Sequence, residues 1–315
     1  MFLHRILKLT ATLAATFAAT AVAAQSAWPE KPVSVIVPYA AGGNTDVVGR
    51  IFTERLSQKL GKPFIVENKS GAGGTIGIAA MSRAPADGYT IGVVTAGNLY
   101  ILPHIYKDKL GYDTFKDLKP LAMVATQPNF FVVHPSIPAA TPKEFIDHLK
   151  ANPDKYSYGS SGIGTSQHLC MELLAQKTGI KVTHVPYRAS NQIMQDLIGG
   201  TIHMSCDQIS TALAQVKNGR AKGIAVSSVG TYGLAPEYPA MAATVPGIDV
   251  TWAAIFIAPA GLPKPIADKL TAELAAIARD PEIIEKLKGL TVTPVSITGD
   301  ELEKKIRADF DTWKP

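Results

Sequence analysis

The residues with the clearest chemical potential lie in a glycine-rich loop near the start of the chain. A β-branched run, Val33–Val37, ends at Pro38, and beyond Gly42 and Gly43 the residues from Asn44 onward follow a helical period. Such a loop leaves the first backbone N–H groups of the helix without partners, at the positive end of its dipole. This geometry binds anions such as a carboxylate or a phosphate. Because the loop contains no Lys, Arg, His or Cys, it predicts binding of an anionic group without chemical attack on it.

The same order of elements occurs again between residues 156 and 206. Each copy reads as a strand, a Gly-rich loop, a helix that ends at a glycine, a strand, a helix, a Gly turn and a third strand, and the second Gly-rich loop covers 159–165. Alternating strands and helices predict an α/β fold in which helices flank mostly parallel sheets, with ligands beyond the carboxyl ends of the strands. Two copies therefore predict two lobes, whose helix starts face a shared cleft that closes around a small solute.

The N-terminal segment, residues 1–24, predicts a Sec-type signal peptide. A basic start with Arg5 and Lys8 precedes an apolar, Ala/Thr-rich run and a small-residue cleavage pattern at 21–24. The alternative is an N-terminal anchor that is never cut. After cleavage, 291 of the 315 residues would remain, which is enough for two α/β domains. We expect an exported, periplasmic protein.

Two stretches predict the crossovers between the lobes. Residues 121–133 are largely apolar and read as an extended crossover, and 223–227 read as the return. One lobe is therefore expected in residues 25–126 plus 228–315, and the other in 127–227. The formal charge of +5, which falls to +3 without Arg5 and Lys8, comes with no Lys/Arg cluster and argues against a nucleic-acid partner. Cys170 and Cys206 could pair in an exported protein, but single buried thiols are the expectation that we adopt.

Searches for catalytic and cofactor motifs exclude several classes of site. The GxxxxG spacing of the second loop is followed by Thr165 where a phosphate-binding loop needs Lys, and Ile76 occupies the third glycine position of a dinucleotide fingerprint. There is no GxSxG, CxxC or HExxH motif. His168 and Glu172 are four residues apart on a predicted helix, but no third metal ligand is near in sequence. We therefore predict no catalytic residue, no cofactor and no metal.

Other polar residues at the predicted cleft have both a binding and a structural interpretation. Tyr39 and Tyr187 begin equivalent loops and could flank a ligand or simply cover a strand end. Arg188 is the best cation near the cleft, although most arginines are solvated. Asp46 could contact a ligand, but at a helix start it more often caps free N–H groups. Asp207, just past a strand end, could take an amino group or cap the next helix.

Several motifs, taken together and in order, resemble the Bug receptors, the substrate-binding family of tripartite tricarboxylate transporters. The resemblance covers nearly all of the chain after the signal segment. It is carried by residues 29–46, 66–69 with 71–74, 86–90, 162–165 with His168, 184–187, 196–200 and 258–261. Three positions depart from the family pattern: Ala189 stands where glycine is common, residues 229–235 lack the usual arginine, and the chain ends early at Pro315.

The resemblance implies a two-lobed periplasmic binding protein of the Venus-flytrap, type II-like kind. It implies that a monomer captures a small carboxylate, such as a di- or tricarboxylate, an amino acid or an aromatic acid, for the membrane components of a transporter. In this family the loops matching 39–46 and 160–168 hold a carboxylate. The loops and the resemblance together predict these ligand-binding residues: Tyr39, Ala41, Gly42, Gly43, Thr45, Asp46, Asn98, Ser160, Gly164, Thr165, His168, Tyr187, Arg188 and Asp207.

Two rival functions fit parts of the same sequence. An exported, hydrolase-like enzyme could use His168 with Ser166 or Cys170 at the second loop. A receptor could also serve as a ligand sensor for a membrane signalling partner. The chemistry at the far end of the ligand depends on side chains such as Asn98, Gln127, Arg188 and Asp207, whose directions the sequence does not specify.

Overall fold

A computed structural model describes residues 28–188 and 190–313. The predicted signal peptide, Ala189 and Pro315 lie outside the described residues. The strands are β1 (Val33–Val37), β2 (Phe64–Asn68), β3 (Thr90–Thr95), β4 (Leu118–Val133), β5 (Ser157–Ser160), β6 (Thr183–Pro186), β7 (Met204–Gln208), β8 (Lys222–Val226), β9 (Thr251–Pro259) and β10 (Thr293–Thr298). The helices are α1 (Asn44–Leu60), α2 (Thr75–Ser82), α3 (Ala96–Tyr100), α4 (Leu102–Tyr106), α5 (Pro142–Ala151), α6 (Ser166–Thr178), α7 (Ser190–Ile198), α8 (Ile209–Lys217), α9 (Lys264–Ala278), α10 (Pro281–Gly289) and α11 (Gly299–Thr312).

The duplicated order of elements produces two similar strand arrangements. β1 lies between β2 and β3 and is parallel to both. β5 lies in the same way between β6 and β7, again parallel to both. In each copy the Gly-rich loop therefore leaves the central strand of a parallel trio and leads into a helix, α1 in the first copy and α6 in the second. This places both loops at carboxyl ends of strands, as the sequence predicted.

The long strand β4 belongs to both sheets. Residues up to Pro128 pair with β9 and β10, and residues from Asn129 onward pair with β7 and β8, all antiparallel. The change of partners falls at Pro128, which has no N–H to donate to a ladder. Both sheets are therefore mixed: their outer strands are parallel, and the strands around β4 are antiparallel. The predicted return crossover at 223–227 differs from the structure, because β8 stays with the second sheet and the first sheet resumes at β9.

Each sheet is covered by apolar side chains on both faces. Neighbouring residues of β4 show this, because Phe130 and Phe131 are both fully buried but belong to different hydrophobic clusters on opposite faces of the second sheet. The alternation follows from the two-residue period of a strand. Within the described residues, the structure contains no helix that is both long and apolar enough to cross a membrane.

The prediction of two separate buried thiols is wrong. Cys170 on α6 and Cys206 on β7 form a disulfide, with their Cα atoms 6.1 Å apart. Both residues are fully buried in the cluster where α6 covers the second sheet. Their separation of 36 positions hides this proximity in the sequence. The pairing depends on how α6 packs across β7, which is a tertiary feature.

Candidate functional site

The first Gly-rich loop presents the uncapped start of α1. Gly43 precedes the helix in an extended conformation, and no side chain caps the first turn. Gly42 adopts a φ of +79°, which favours glycine. The Asp46 carboxylate accepts hydrogen bonds from the Gly42 N–H at 2.9 Å, from Arg50 and from Asn68. Burial alone would raise the pKa of Asp46, but these donors hold it below its ordinary value. Asp46 therefore fixes the shape of the loop.

The second Gly-rich loop leads into α6 in a similar way. Thr165 is the N-cap residue, and its hydroxyl accepts a hydrogen bond from the His168 N–H. The Gln167 side chain turns back and accepts from the Ser161 N–H at 2.8 Å. Gly164 has a φ of +79°. The side chains at the start of α6 therefore fix the shape of this loop.

Two glycines of the first sheet's half of the chain approach the second Gly-rich loop closely. A Cβ atom added at Gly97, on α3, would lie 2.5 Å from the carbonyl oxygen of Gly164, and one added at Gly73 would lie 2.6 Å from that of Ile163. Only glycine permits backbones to approach this closely. The chain therefore adopts an arrangement in which elements of the first sheet contact the second Gly-rich loop directly.

A cavity lies between the starts of α1 and α6. Its walls come from both sheets and contain no ionisable group other than the phenol of Tyr39. Backbone N–H groups of two helix starts and neutral polar side chains are therefore the groups that a ligand would meet. The cavity is lined by Tyr39, Gly43, Asn44, Thr45, Thr95, Ser161, Thr165, Ser166, Gln167, Ser190, Gln208 and Trp252.

Tyr39 is held in the cavity wall by a buried hydrogen-bond network. Its hydroxyl lies 3.0 Å from Asn98 Oδ1 and 3.1 Å from Thr95 Oγ1. Asn98 also donates from Nδ2 to the Gly73 carbonyl at 2.9 Å. Burial raises the pKa of Tyr39, so the phenol stays neutral and can donate. Asn98 therefore supports Tyr39 from behind and does not line the cavity itself.

A second buried network supports the opposite wall. The Gln167 amide donates to Asp207 and, at 2.9 Å, to the Ser190 hydroxyl, which in turn contacts Gln208. Asp207 is fully buried, and one of its oxygens, Oδ2, has no partner among the described residues. Burial raises the pKa of Asp207 to about 7. This carboxyl group lies behind the wall and does not border the cavity.

The structure brings together only part of the predicted ligand-binding set. Four predicted residues line the cavity, namely Tyr39, Gly43, Thr45 and Thr165. The other ten are not among its lining residues: Ala41, Gly42, Asp46, Asn98, Ser160, Gly164, His168, Tyr187, Arg188 and Asp207.

Three of those ten have other evident partners or lie on the surface. Tyr187 donates its hydroxyl to Asp196 at 2.7 Å, and burial together with that carboxylate raises its pKa to about 12. Arg188 is exposed. His168 packs against His184 with ring centroids 4.6 Å apart, and burial lowers the pKa of both imidazoles, to about 4 for His184.

Eight lining residues were not predicted. Asn44 begins α1 and Ser161 lies in the second Gly-rich loop, so the pattern of a Gly-rich loop before a helix start covers both residues. Ser166 and Gln167 occupy the first turn of α6, directly after the second Gly-rich loop, so the same pattern covers them. Thr95, Ser190, Gln208 and Trp252 lie at distant strand ends or helix starts, and no local pattern in the sequence marks them.

The geometry gives little support to the enzyme alternative. The Ser166 hydroxyl donates to Asn129 at 3.2 Å and is not paired with His168, while Cys170 is in the disulfide. Ser160 lies 2.6 Å from the ring nitrogen of His184, but it is completely buried. Across residues 28–188 and 190–313, no cluster of three or more His, Cys, Asp or Glu could hold a metal ion.

The chain is similar in sequence and structure to transporter receptors and periplasmic binding proteins. The family model described as "Tripartite tricarboxylate transporter family receptor" matches residues 48–315. The periplasmic binding protein BugD is 34% identical, with a TM-score of 0.86 and coverage of 91% of this chain and 96% of that one. MatC from Rhodopseudomonas palustris, with bound malate, is 26% identical (TM-score 0.84; coverage 91% and 99%). An R. palustris protein with adipate is 29% identical (TM-score 0.87; coverage 91% and 96%). The predicted α/β periplasmic-binding-protein fold is thereby confirmed.

Proposed function

The chain belongs to the tripartite tricarboxylate transporter family receptors, as its motifs predicted, and from this premise we propose that it binds a small carboxylate in the cavity between its two Gly-rich loops. The observation that carries the proposal is the convergence of two helix starts, those of α1 and α6, on one cavity. Each start offers backbone N–H groups at the positive end of a helix dipole. Hydrogen bonds to a charged group contribute about 1.5–3 kcal/mol each, so neutral donors suffice for binding.

Within this class, we favour an aliphatic dicarboxylate as the ligand. Two helix starts can each take one carboxylate, whereas an amino acid would also need an acceptor for its ammonium group. No Asp or Glu side chain lines the cavity. The carboxyl group of Asp207 lies behind the wall. The neighbours with malate and adipate bind ligands of the same chemical kind.

We also propose that the protein acts in the periplasm as a monomeric receptor, without a chemical step, and delivers its ligand to the membrane components of a transporter. Residues 25–126 with 228–315 would form one lobe and 127–227 the other. The change of partners along β4 at Pro128 supports the first boundary of this division. Met241, Ile248 and Val250 pack in the cluster of the second sheet, which moves the second boundary towards β9. Small-angle scattering would test it, because ligand-driven closure should reduce the radius of gyration.

A ligand screen on protein stripped of any co-purified solute tests the binding proposal. Malate, adipate, citrate, glutamate and benzoate would each be added at increasing concentration while thermal unfolding is followed. A ligand at 100 times its Kd stabilises the fold by about 2.7 kcal/mol, so a true ligand should raise the Tm by several degrees. If none of the five acids changes the Tm, and isothermal titration detects no heat, the carboxylate proposal is wrong.

A further inference from the structure

Asn44 makes a side-chain contact between elements of the two sheets. It is the first residue of α1, and its Oδ1 accepts a hydrogen bond of 3.0 Å from the hydroxyl of Ser210, in the first turn of α8. The backbone N–H of Ser210 donates in turn to Gln127 Oε1 on the shared strand β4, at 3.3 Å. Asn44 and Ser210 are 166 positions apart and belong to opposite proposed lobes. This contact therefore spans the cleft.

The donating end of the same amide is buried and unpartnered, in a residue that lines the cavity. Asn44 is only 9% exposed, and its Nδ2 is buried without a hydrogen-bond partner among the described residues. A primary amide has one accepting and one donating end. Because the Ser210 hydroxyl occupies the accepting end, the donating end is directed elsewhere, and Asn44 lines the cavity. A buried donor of this kind favours a ligand that brings an acceptor, since leaving it unpaired costs free energy.

We propose that Asn44 links ligand capture to closure of the cleft: a ligand carboxylate accepts from Nδ2 while Ser210 of the opposite lobe donates to Oδ1. The inference rests on the proposed function, because it assumes an anionic ligand in this cavity. Each bond orients the amide for the other, so the two should strengthen together. Asn44 is then both a ligand contact and a selector for anions, and Ser210 is a positioning residue.

The substitution Asn44→Asp separates these roles with little change of shape. Aspartate still accepts from Ser210, and the helix start favours a carboxylate in its first turn, which offsets part of the cost of burying the charge. Thermal unfolding without ligand measures the remainder as a fall in Tm. The unpartnered donor becomes a negative acceptor, and the affinity for malate or adipate should fall by about 100-fold or more. Gln58→Glu, exposed near the end of the same helix, makes the same change in net charge and should leave affinity unchanged.

Ser210→Ala supplies an independent measurement if Asn44→Asp does not fold. It should weaken binding about tenfold in the native background. The same substitution should have almost no effect in an Asn44→Ala background, because the amide through which it acts is gone. A purely structural role for Ser210 would instead lower the Tm equally in both backgrounds.

The outcomes distinguish the two proposals. If the native protein binds malate or adipate and Asn44→Asp binds it within threefold, the role of Asn44 is refuted and the receptor function stands. If Ser210→Ala weakens binding equally with and without Asn44, the coupling is refuted. If the native protein binds neither malate, adipate nor the other acids of the screen, the proposed function fails, and the anion contact of Asn44 fails with it.

Discussion

Gly97→Ala should reduce ligand affinity without reducing the stability of the ligand-free protein. Gly97 is buried in the first turn of α3, with a helical backbone that alanine adopts readily. Alanine is preferred to glycine inside a helix by up to about 1 kcal/mol. The new methyl group would, however, point at the carbonyl oxygen of Gly164 in the opposite loop. The substitution should therefore stabilise helix α3 itself and destabilise the arrangement in which α3 contacts the second Gly-rich loop.

The size of the effect follows from the distance. The added Cβ would lie 2.5 Å from that oxygen, whereas ordinary contact begins at 3.4 Å, so the loop must withdraw by about 0.9 Å. Overpacking of this order costs about 1–3 kcal/mol. If the cost falls only on the closed state, the Kd should rise about 5- to 150-fold, at 1.4 kcal/mol for each factor of ten.

Isothermal titration with the acid that the screen identifies would measure the Kd, and thermal unfolding without ligand would measure stability. Gly289→Ala is the matched control, because Gly289 is also helical and a Cβ there would meet no atom within 4 Å. An unchanged Kd for Gly97→Ala, within twofold of the native value, would refute the idea that α3 and the second Gly-rich loop close together on the ligand. A large fall in the ligand-free Tm would show instead that the contact persists without ligand.

Three further predictions concern groups around the cavity. Burial raises the pKa of Asp207 to about 7, so between about pH 4 and 7 the folded state keeps a proton that the unfolded state has lost. Asp207 should therefore make the protein less stable as the pH rises from about 4 to 7. In thermal melts over this pH range, Asp207→Asn should lose less stability than the native protein. Trp252→Phe should widen the cavity that Trp252 lines and raise the affinity ratio of adipate to malate, measured by titration; an unchanged ratio would show that this side chain does not limit ligand length. Reduction of the Cys170–Cys206 disulfide should cost about 2–5 kcal/mol and lower the Tm, whereas a Cys170→Ala/Cys206→Ala variant should be insensitive to dithiothreitol.

Local chemistry carried much of the correct prediction. The helix that begins at Asn44 and ends before Gly61 follows from its apolar period and its glycine stop. Tyr39 and Thr165, which line the cavity, follow from the same local order of a strand, a Gly-rich loop and a helix start. Such features depend on contacts within a few residues, and these contacts can be inferred from the order of residue types.

The predicted residues that do not line the cavity are separated from those that do by the directions of their side chains. Tyr187 and Tyr39 begin equivalent loops, yet the Tyr187 hydroxyl turns to Asp196, while the Tyr39 hydroxyl turns to Asn98 beside the cavity. Asp207 follows a strand end as expected, but its side chain lies behind Gln167. A rotation about one or two side-chain bonds decides each case, and packing from elements far away in sequence sets that rotation.

The amino-acid order by itself determined that this chain forms two α/β repeats, each with a helix start suited to an anion, because both properties arise from short-range hydrogen bonding and from apolar periodicity. Only the tertiary structure decided that the two starts share one cavity, that Trp252 and Gln208 complete its wall, and that Asn44 meets Ser210 across it. Those facts depend on how β4 changes partners between the two sheets and on how closely glycine backbones approach, and both are products of long-range packing.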